Sequence, residues 1–231
     1  MSAQLFDEPY YIDINEARWR VVEQVFDHVP PPEMRSCLDV GAGPGWFTDR
    51  LCKKGMKVTA LEGRPELVSL GRQRVPEARF LEMNVERADQ MESLEPADFV
   101  LCFGLLYHVE NPFCVIRSLR RLARRMLLLE TVLVPGNAPI AQIVDEGQNA
   151  TQGLTYCSFI PSRAALLKML QRAGFSHLYE WSDAVDHQDF IETPERHRRR
   201  GIFAASHEPL QISGLTAVEA GPAPKPEMRK L

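Results

Sequence analysis

Residues 38–51 read LDVGAGPGWFTDRL, and this stretch limits the fold more than any other. A short apolar run ends in a turn with glycines at 41, 43 and 45, and an amphipathic run follows. Glycine has no Cβ, so it accepts positive φ and lets bare backbone approach another group closely. A helix that opens directly after such a turn presents unpaired N–H groups, which favour a carboxylate or phosphate. The expected unit is therefore strand, ligand-cradling turn and helix, the opening of an α/β sheet.

The spacing separates two kinds of nucleotide site. The dinucleotide fingerprint is G-x-G-x-x-G. Here the third glycine comes one residue early and Trp46 follows it. Asp39 precedes the turn. Glu62 ends the next apolar run, KVTALEG, about 20 residues past the first glycine, where a carboxylate grips ribose hydroxyls. This combination resembles motifs I and II of the class I S-adenosylmethionine-dependent methyltransferases. The resemblance covers residues 35–207 and implies S-adenosylmethionine as cofactor. It also implies a Rossmann-like methyltransferase fold: α/β, a doubly wound, seven-stranded, mostly parallel sheet with one antiparallel edge strand.

The rest of the chain reads consistently with that fold. Strands are expected at 37–40, 57–61, 78–82, 98–103, 126–134, 177–181 and 201–206. Helices between them imply right-handed crossovers and a parallel sheet. Asn111-Pro112 and Ser162 read as helix starts, and Gly55 and Gly174 as helix stops. Residues 1–34 are expected to form an N-terminal helical cap, with Asn15 capping the helix and Pro30–Pro32 ending it. Residues 135–161 are expected to be a long loop, serving as substrate loop or lid, because it leaves the carboxyl end of a strand. The Pro-, Ala- and Gly-rich residues 208–231 are expected to be a flexible tail.

The superfamily resemblance assigns roles by position. Asp39, Gly41, Gly43 and Gly45 would meet the amino-acid end of the cofactor, and Glu62 the ribose. Asn84, where Asp is commoner, and Val85 match the motif that meets adenine. Phe103, at the end of the fourth strand, and Tyr11, ahead of the first helical stripe, complete the expected cofactor-binding set. Tyr107 and His108 fall in the fourth motif, beside the methyl group. Histidine has a free pKa near neutrality, so His108 suits proton removal from the acceptor. A loop histidine bonded to backbone is the alternative. Glu130 interrupts an apolar strand, so it either faces the site or pairs with an arginine. In the 135–161 segment Gln148, Asn149, Gln152 and Tyr156 are candidates for the acceptor pocket.

Three further pieces, GLLYHVENP, LLETVLVPG and SFIPSRAALLKMLQRAGF, are similar to the tRNA wobble-uridine carboxymethyltransferase family. That family carries a basic residue after Tyr-His, where this chain has Val109. Ordinary S-adenosylmethionine and a small-molecule acceptor are therefore expected. Net charge is −4, so no overall basic field favours nucleic acid. Two arginine clusters, at 117–125 and 196–200, lack interleaved aromatics, so an RNA-modifying methyltransferase stays an alternative that they do not indicate. A non-catalytic cofactor-binding protein remains a rival. No metal site is expected, since Cys102, Phe103 and Gly104 stand where a metal-binding acid pair would begin. Five scattered cysteines and no apolar run of membrane-spanning length lead to the expectation of a reduced, cytoplasmic protein away from membranes. The sequence sets no oligomeric state.

Overall fold

The computed structural model describes residues 2–29, 33–191 and 199–221. A short 3₁₀ segment, Ser2–Asp7, leads into α1, Pro9–His28. Then come β1 (Ser36–Val40), α2 (Trp46–Lys53), β2 (Lys57–Glu62), α3 (Pro65–Arg74) and β3 (Arg79–Glu82). The next elements are α4 (Ala88–Glu92), β4 (Ala97–Phe103), α5 (Pro112–Leu122) and β5 (Ala123–Leu133). After β6 (Ala141–Asp145) and β7 (Cys157–Pro161) the chain forms α6 (Arg163–Ala173), β8 (His177–Trp181), β9 (Arg199–Ser206) and β10 (Leu215–Ala217).

The main sheet runs β10-β8-β9-β5-β4-β1-β2-β3. Strands β1 to β5 pair in parallel, as βαβ crossovers require. The chain first winds outward through β2 and β3, then returns past β1 to β4. The strand order therefore reverses between β1 and β4, and the turns after both strands flank the crevice where such sheets bind ligands. A Cβ on Gly41, after β1, would come within 2.9 Å of Leu105, after β4. That closeness measures how narrow the crevice floor is.

Alternation along the strands builds two cores. Leu38, Val40, Val100, Cys102, Leu127 and Leu129 pack under α5 and α6. Cys37, Phe99, Leu101, Phe103 and Leu128 turn the other way, onto α1 and α2. Strand β4 is thus apolar on both faces, the pattern of a central parallel strand. Asn111 caps α5 by accepting from the Cys114 N–H at 3.1 Å, and Ser162 caps α6 through the Ala165 N–H at 3.1 Å. Gly174 closes α6 in the left-handed region.

Several expectations need correction. The sheet has eight strands rather than seven, because β10 adds to β8. Two strands run against the parallel set: β9, two places inside the edge between β5 and β8, and the edge strand β10 itself. The segment expected to be a flexible tail is therefore ordered through Leu215–Ala217, with Ile212 buried among the residues under α1. Residues 222–231 lie outside the described residues, as do Pro30–Pro32 and Arg196–Arg198 of the second basic cluster.

The 135–161 segment is not a bare loop, because β6 and β7 pair as an antiparallel hairpin. Asn15 does not cap α1. Pro9 occupies the first helical turn, so the helix begins earlier, and Asn15 is buried inside it, accepting from Arg18 at 2.9 Å. The first arginine cluster spans two elements, since α5 ends at Leu122 and Arg124 and Arg125 belong to β5. Arg120 donates to the Gly174 carbonyl and Arg121 to the Leu94 and Met91 carbonyls. No described helix is long and apolar enough to cross a membrane.

Candidate active site

Two adjoining cavities open at the carboxyl ends of β1 and β4. The first, with about 700 Å³ of empty space, is bordered by Gly41, Gly43, Glu62, Arg64, Asn84, Val85 and Leu105. The second, with about 1100 Å³, is bordered by Tyr10, Tyr11, Arg18, Trp46, Phe103, Tyr107 and Arg200. Gly41, Gly43, Gly104, His108, Thr151 and Gln152 border both, so the cavities meet there.

The glycine turn is built for this. Gly41, Gly43 and Gly45 all have positive φ, at +78°, +54° and +93°. Their surroundings differ. A Cβ on Gly43 would meet only the edge of Phe6, at 3.6 Å, on the cavity side. A Cβ on Gly45 would come within 2.9 Å of Phe80 on β3. Gly45 thus allows α2 to start close to the sheet, and it borders neither cavity.

Glu62 turns into the first cavity. Its Oε2 accepts from the Gly43 N–H at 2.9 Å and its Oε1 from the Arg64 N–H at 2.8 Å. Burial pushes its carboxyl above the usual value, while those backbone bonds oppose the shift. Asn84 Oδ1 accepts from the Glu86 N–H at 2.9 Å, an Asx turn that leaves one lone pair. Val85 is 7% exposed and lines the same wall. Phe103 meets Phe47 edge to face at 5.4 Å and borders the second cavity with Tyr11.

Asp39 stands apart from the expected set. Its side chain points beneath the turn, is 3% exposed and accepts from Thr48 Oγ1 at 2.6 Å, tying β1 to α2. It borders neither cavity. Burial pushes its carboxyl up to about 6, with Thr48 opposing and the Glu62 charge adding to the rise. A folded-state pKa above the unfolded one means the native protein binds the extra proton. Stability therefore falls as pH climbs from the unfolded value to about 6, by about 3 kcal/mol in all. Asp39→Asn is expected to remove that slope. Urea unfolding at pH 4.5 and 7.5 checks it: the wild type loses more stability than the variant between the two.

The other site residues form a buried network that the sequence did not rank. Glu130 is 0% exposed. It accepts from Arg18 Nη2 at 2.6 Å and from Arg200 Nη1 at 3.0 Å, so of its two readings the arginine pairing holds. Arg200 Nη2 also donates to the Tyr107 hydroxyl at 3.2 Å. Burial raises the Glu130 carboxyl, but the two guanidinium groups outweigh it and hold it below its ordinary value. His108 does not bond to backbone through its ring. Its Nδ1 lies 2.5 Å from Glu146 Oε1, on the loop joining β6 to β7. Glu146 was missed. Of the loop residues named instead, Gln152 borders the cavities, and Gln148, Asn149 and Tyr156 do not. Among the described residues no group of three His, Cys, Asp or Glu is placed to hold a metal ion.

A family profile described as a methyltransferase domain matches residues 15–180. The chain belongs to that family. This methyltransferase domain is of the class I, S-adenosylmethionine-dependent kind, and its curated relatives include tRNA U34 carboxymethyltransferases. The one from Haemophilus influenzae (strain PittEE) is 30% identical over 165 residues, 68% of this chain and 50% of the relative. The one from Sodalis glossinidius is 27% identical over 218 residues, 87% of this chain and 62% of the relative. The chain thus spans about half the length of the first of these relatives. Among solved structures, the N-terminal domain of EvdMO1 with SAH bound superposes with TM-score 0.67 at 22% identity, covering 84% of this chain and 80% of that one. Magnesium protoporphyrin IX methyltransferase from Synechocystis PCC 6803 with bound SAM gives 0.56 at 19%, covering 86% and 84%. These likenesses establish the methyltransferase fold. The residues fit the donor that family uses: Glu62 lines the cavity and the turn facing it is bare backbone.

Proposed function

We propose that this methyltransferase moves a methyl group from S-adenosylmethionine to an oxygen or nitrogen of a small-molecule acceptor. The observation that best supports this is the meeting of two cavities at Gly41, Gly43, Gly104 and His108. One cavity carries the groups that suit an adenosyl moiety. The other is walled by residues 1–34, read as a cap, through Tyr10, Tyr11 and Arg18. Residues 35–207 are then the donor-binding domain and 135–161 its lid.

In this reading Glu62 takes the ribose hydroxyls, Asn84 the adenine amino group through its remaining lone pair, and Val85 the ring. Gly41 and Gly43 admit the amino-acid end, with Phe103 and Tyr11 along its flank. Gly45 and Asp39 act indirectly, by placing α2 and the turn. S-adenosylmethionine supplies the methyl carbon on a sulfonium that leaves without protonation. What the protein must add is alignment, exclusion of water and removal of a proton. His108 takes the proton from the acceptor as the acceptor's lone pair bonds to the methyl carbon and the old S–C electron pair returns to sulfur. Tyr107, held by Arg200, shapes the acceptor wall.

Incubation with methyl-labelled S-adenosylmethionine and a cell extract tests the reading. Label is expected in the small-molecule fraction, falling about 100-fold or more with His108→Gln. Label in RNA, with binding that weakens steeply as salt rises, would replace it by an RNA-modifying reading. No label above the His108→Gln background would leave only donor binding.

A further inference from the structure

The His108 ring is held by a carboxylate whose surroundings are built around it. Glu146 Oε1 faces His108 Nδ1 at 2.5 Å and also accepts from Ser158 Oγ, and Oε2 accepts from the Gly153 N–H at 2.8 Å. The two side chains are 9% and 5% exposed. Burial raises the Glu146 carboxyl, but the hydrogen bonds from His108, Ser158 and the Gly153 N–H oppose that rise, and the group lies below its ordinary value. Glu146 is therefore ionised near neutrality. An ionised carboxylate only accepts, so the nitrogen facing it must carry the hydrogen. That fixes Nδ1–H and leaves Nε2 as the bare nitrogen of the neutral ring. Among the described residues Nε2 has no protein hydrogen-bond partner, and His108 borders both cavities.

The loop that brings Glu146 also roofs the donor cavity, through Thr151, Gln152, Gly153 and Leu154. Arg64, two residues past Glu62, donates through Nη2 to the carbonyls of Gln152 and Gly153, each at 3.1 Å. Leu154 packs on Gly63, where an added Cβ would come within 2.6 Å of it. A Cβ on Gly153 would come within 2.2 Å of the His108 carbonyl oxygen, so the loop backbone lies directly on the His108 backbone and only glycine fits. One short loop thus touches the donor cavity, the β2 end and the His108 segment.

We infer that Glu146 is a positioning residue that sets the tautomer of His108, and that loop 146–154 makes this setting depend on donor occupancy. The inference rests on the proposed role of His108 and deepens it. A base prepared this way is of use only to an acceptor that must shed a proton, such as a hydroxyl, an ammonium or a ring N–H. An acceptor already anionic, such as a carboxylate, needs no such base. A donor under the loop favours the docked loop and so keeps Glu146 on His108, which orders the binding with donor first.

Two measurements test this on the full chain. Long-range ¹H–¹⁵N spectra of ¹⁵N-histidine-labelled protein, with the His108 signal assigned through His108→Gln, report the tautomer without any acceptor. The neutral wild-type ring is expected as Nδ1–H. Glu146→Gln keeps an acceptor oxygen of the same size and is expected to retain it, whereas Glu146→Ala is expected to lose it. A wild-type ring protonated on Nε2, or an Nδ1–H ring that persists in Glu146→Ala, overturns the positioning role. Hydrogen exchange at amides 149–154 is then followed with and without S-adenosylhomocysteine. A slowing of about tenfold or more is expected; binding without any slowing overturns the coupling. If S-adenosylhomocysteine fails to bind at all, the donor reading falls and the coupling with it, while the tautomer result still decides the role of Glu146.

Discussion

Glu130→Leu is expected to lower the unfolding free energy by about 3–5 kcal/mol, the cost of leaving a buried charge without its partner. Glu130 is fully buried between Arg18 and Arg200, whose side chains are 8% and 14% exposed. Removing the carboxylate leaves two guanidinium groups facing each other with little water to separate them. Arg18 already has one buried N–H, Nε, without a hydrogen-bond partner, so it has little means to compensate. The network joins α1 to β5 and β9 and passes to Tyr107, so its loss also loosens the acceptor wall. A triple variant, Glu130→Leu with Arg18→Met and Arg200→Met, separates charge from packing. It is expected to be more stable than Glu130→Leu alone, because the unpaired charges leave together. Urea unfolding of the three proteins checks both statements. A loss below about 1 kcal/mol in Glu130→Leu would mean water or rearrangement neutralises the pair in solution. The pH dependence has a definite sign. The Glu130 carboxyl is depressed in the fold, so its contribution is present above the unfolded carboxylate pKa and is lost as pH falls through the folded one.

The parts of this protein legible in the sequence are those where one residue type is physically required. Positive φ at Gly41, Gly43 and Gly174, caps at Asn111 and Ser162, and the two-faced apolar run of β4 each follow from local rules, and each is present. The placement of Glu62 at the cavity also follows, because it ends a strand whose length and direction were readable. Where the sequence misled, a tertiary fact decided. Asp39 and Glu62 lie on the same sheet face, but Asp39 sits one residue inside the end of β1, under α2 against Thr48, whereas Glu62 is the last residue of β2 and reaches the cavity. Arg200 looked like one member of a basic run, but on β9 it turns inward to Glu130. Glu146 sits in a polar stretch where nothing periodic marks it. One signal was available: AQIVD and CSFIP are two short runs of strand-like composition flanking a mostly polar centre with Gly147 and Gly153, a hairpin pattern that would have brought the ends of that centre together. Three residues of β10, among Gly, Pro and Ala, carry no such signal and owe their order to the exposed edge of β8.

The second large effect is on donor binding. Gly43→Val is expected to reduce the affinity for S-adenosylhomocysteine by more than about 100-fold, roughly 3 kcal/mol, while the chain still folds. Two penalties act at this position, and they can be separated. A β-branched residue at φ +54° is strained, and its methyl groups enter the space shared by the two cavities. Strain can also tilt the Gly43 N–H away from Glu62, which loses a 2.9 Å bond and its orientation toward the ribose. Gly55 supplies the control. It too has positive φ, +86°, but an added Cβ there meets nothing within 4 Å. Gly55→Val therefore bears comparable backbone strain with no intrusion into the site, and is expected to bind the donor product as the wild type does. Calorimetric titration of the three proteins, with circular dichroism to confirm folding, decides between the causes. Equal losses in both variants would assign the effect to strain spreading through β1–α2–β2. Wild-type binding by Gly43→Val would remove the glycine turn from the donor site, and the assignment of Glu62 to the ribose would have to be abandoned with it.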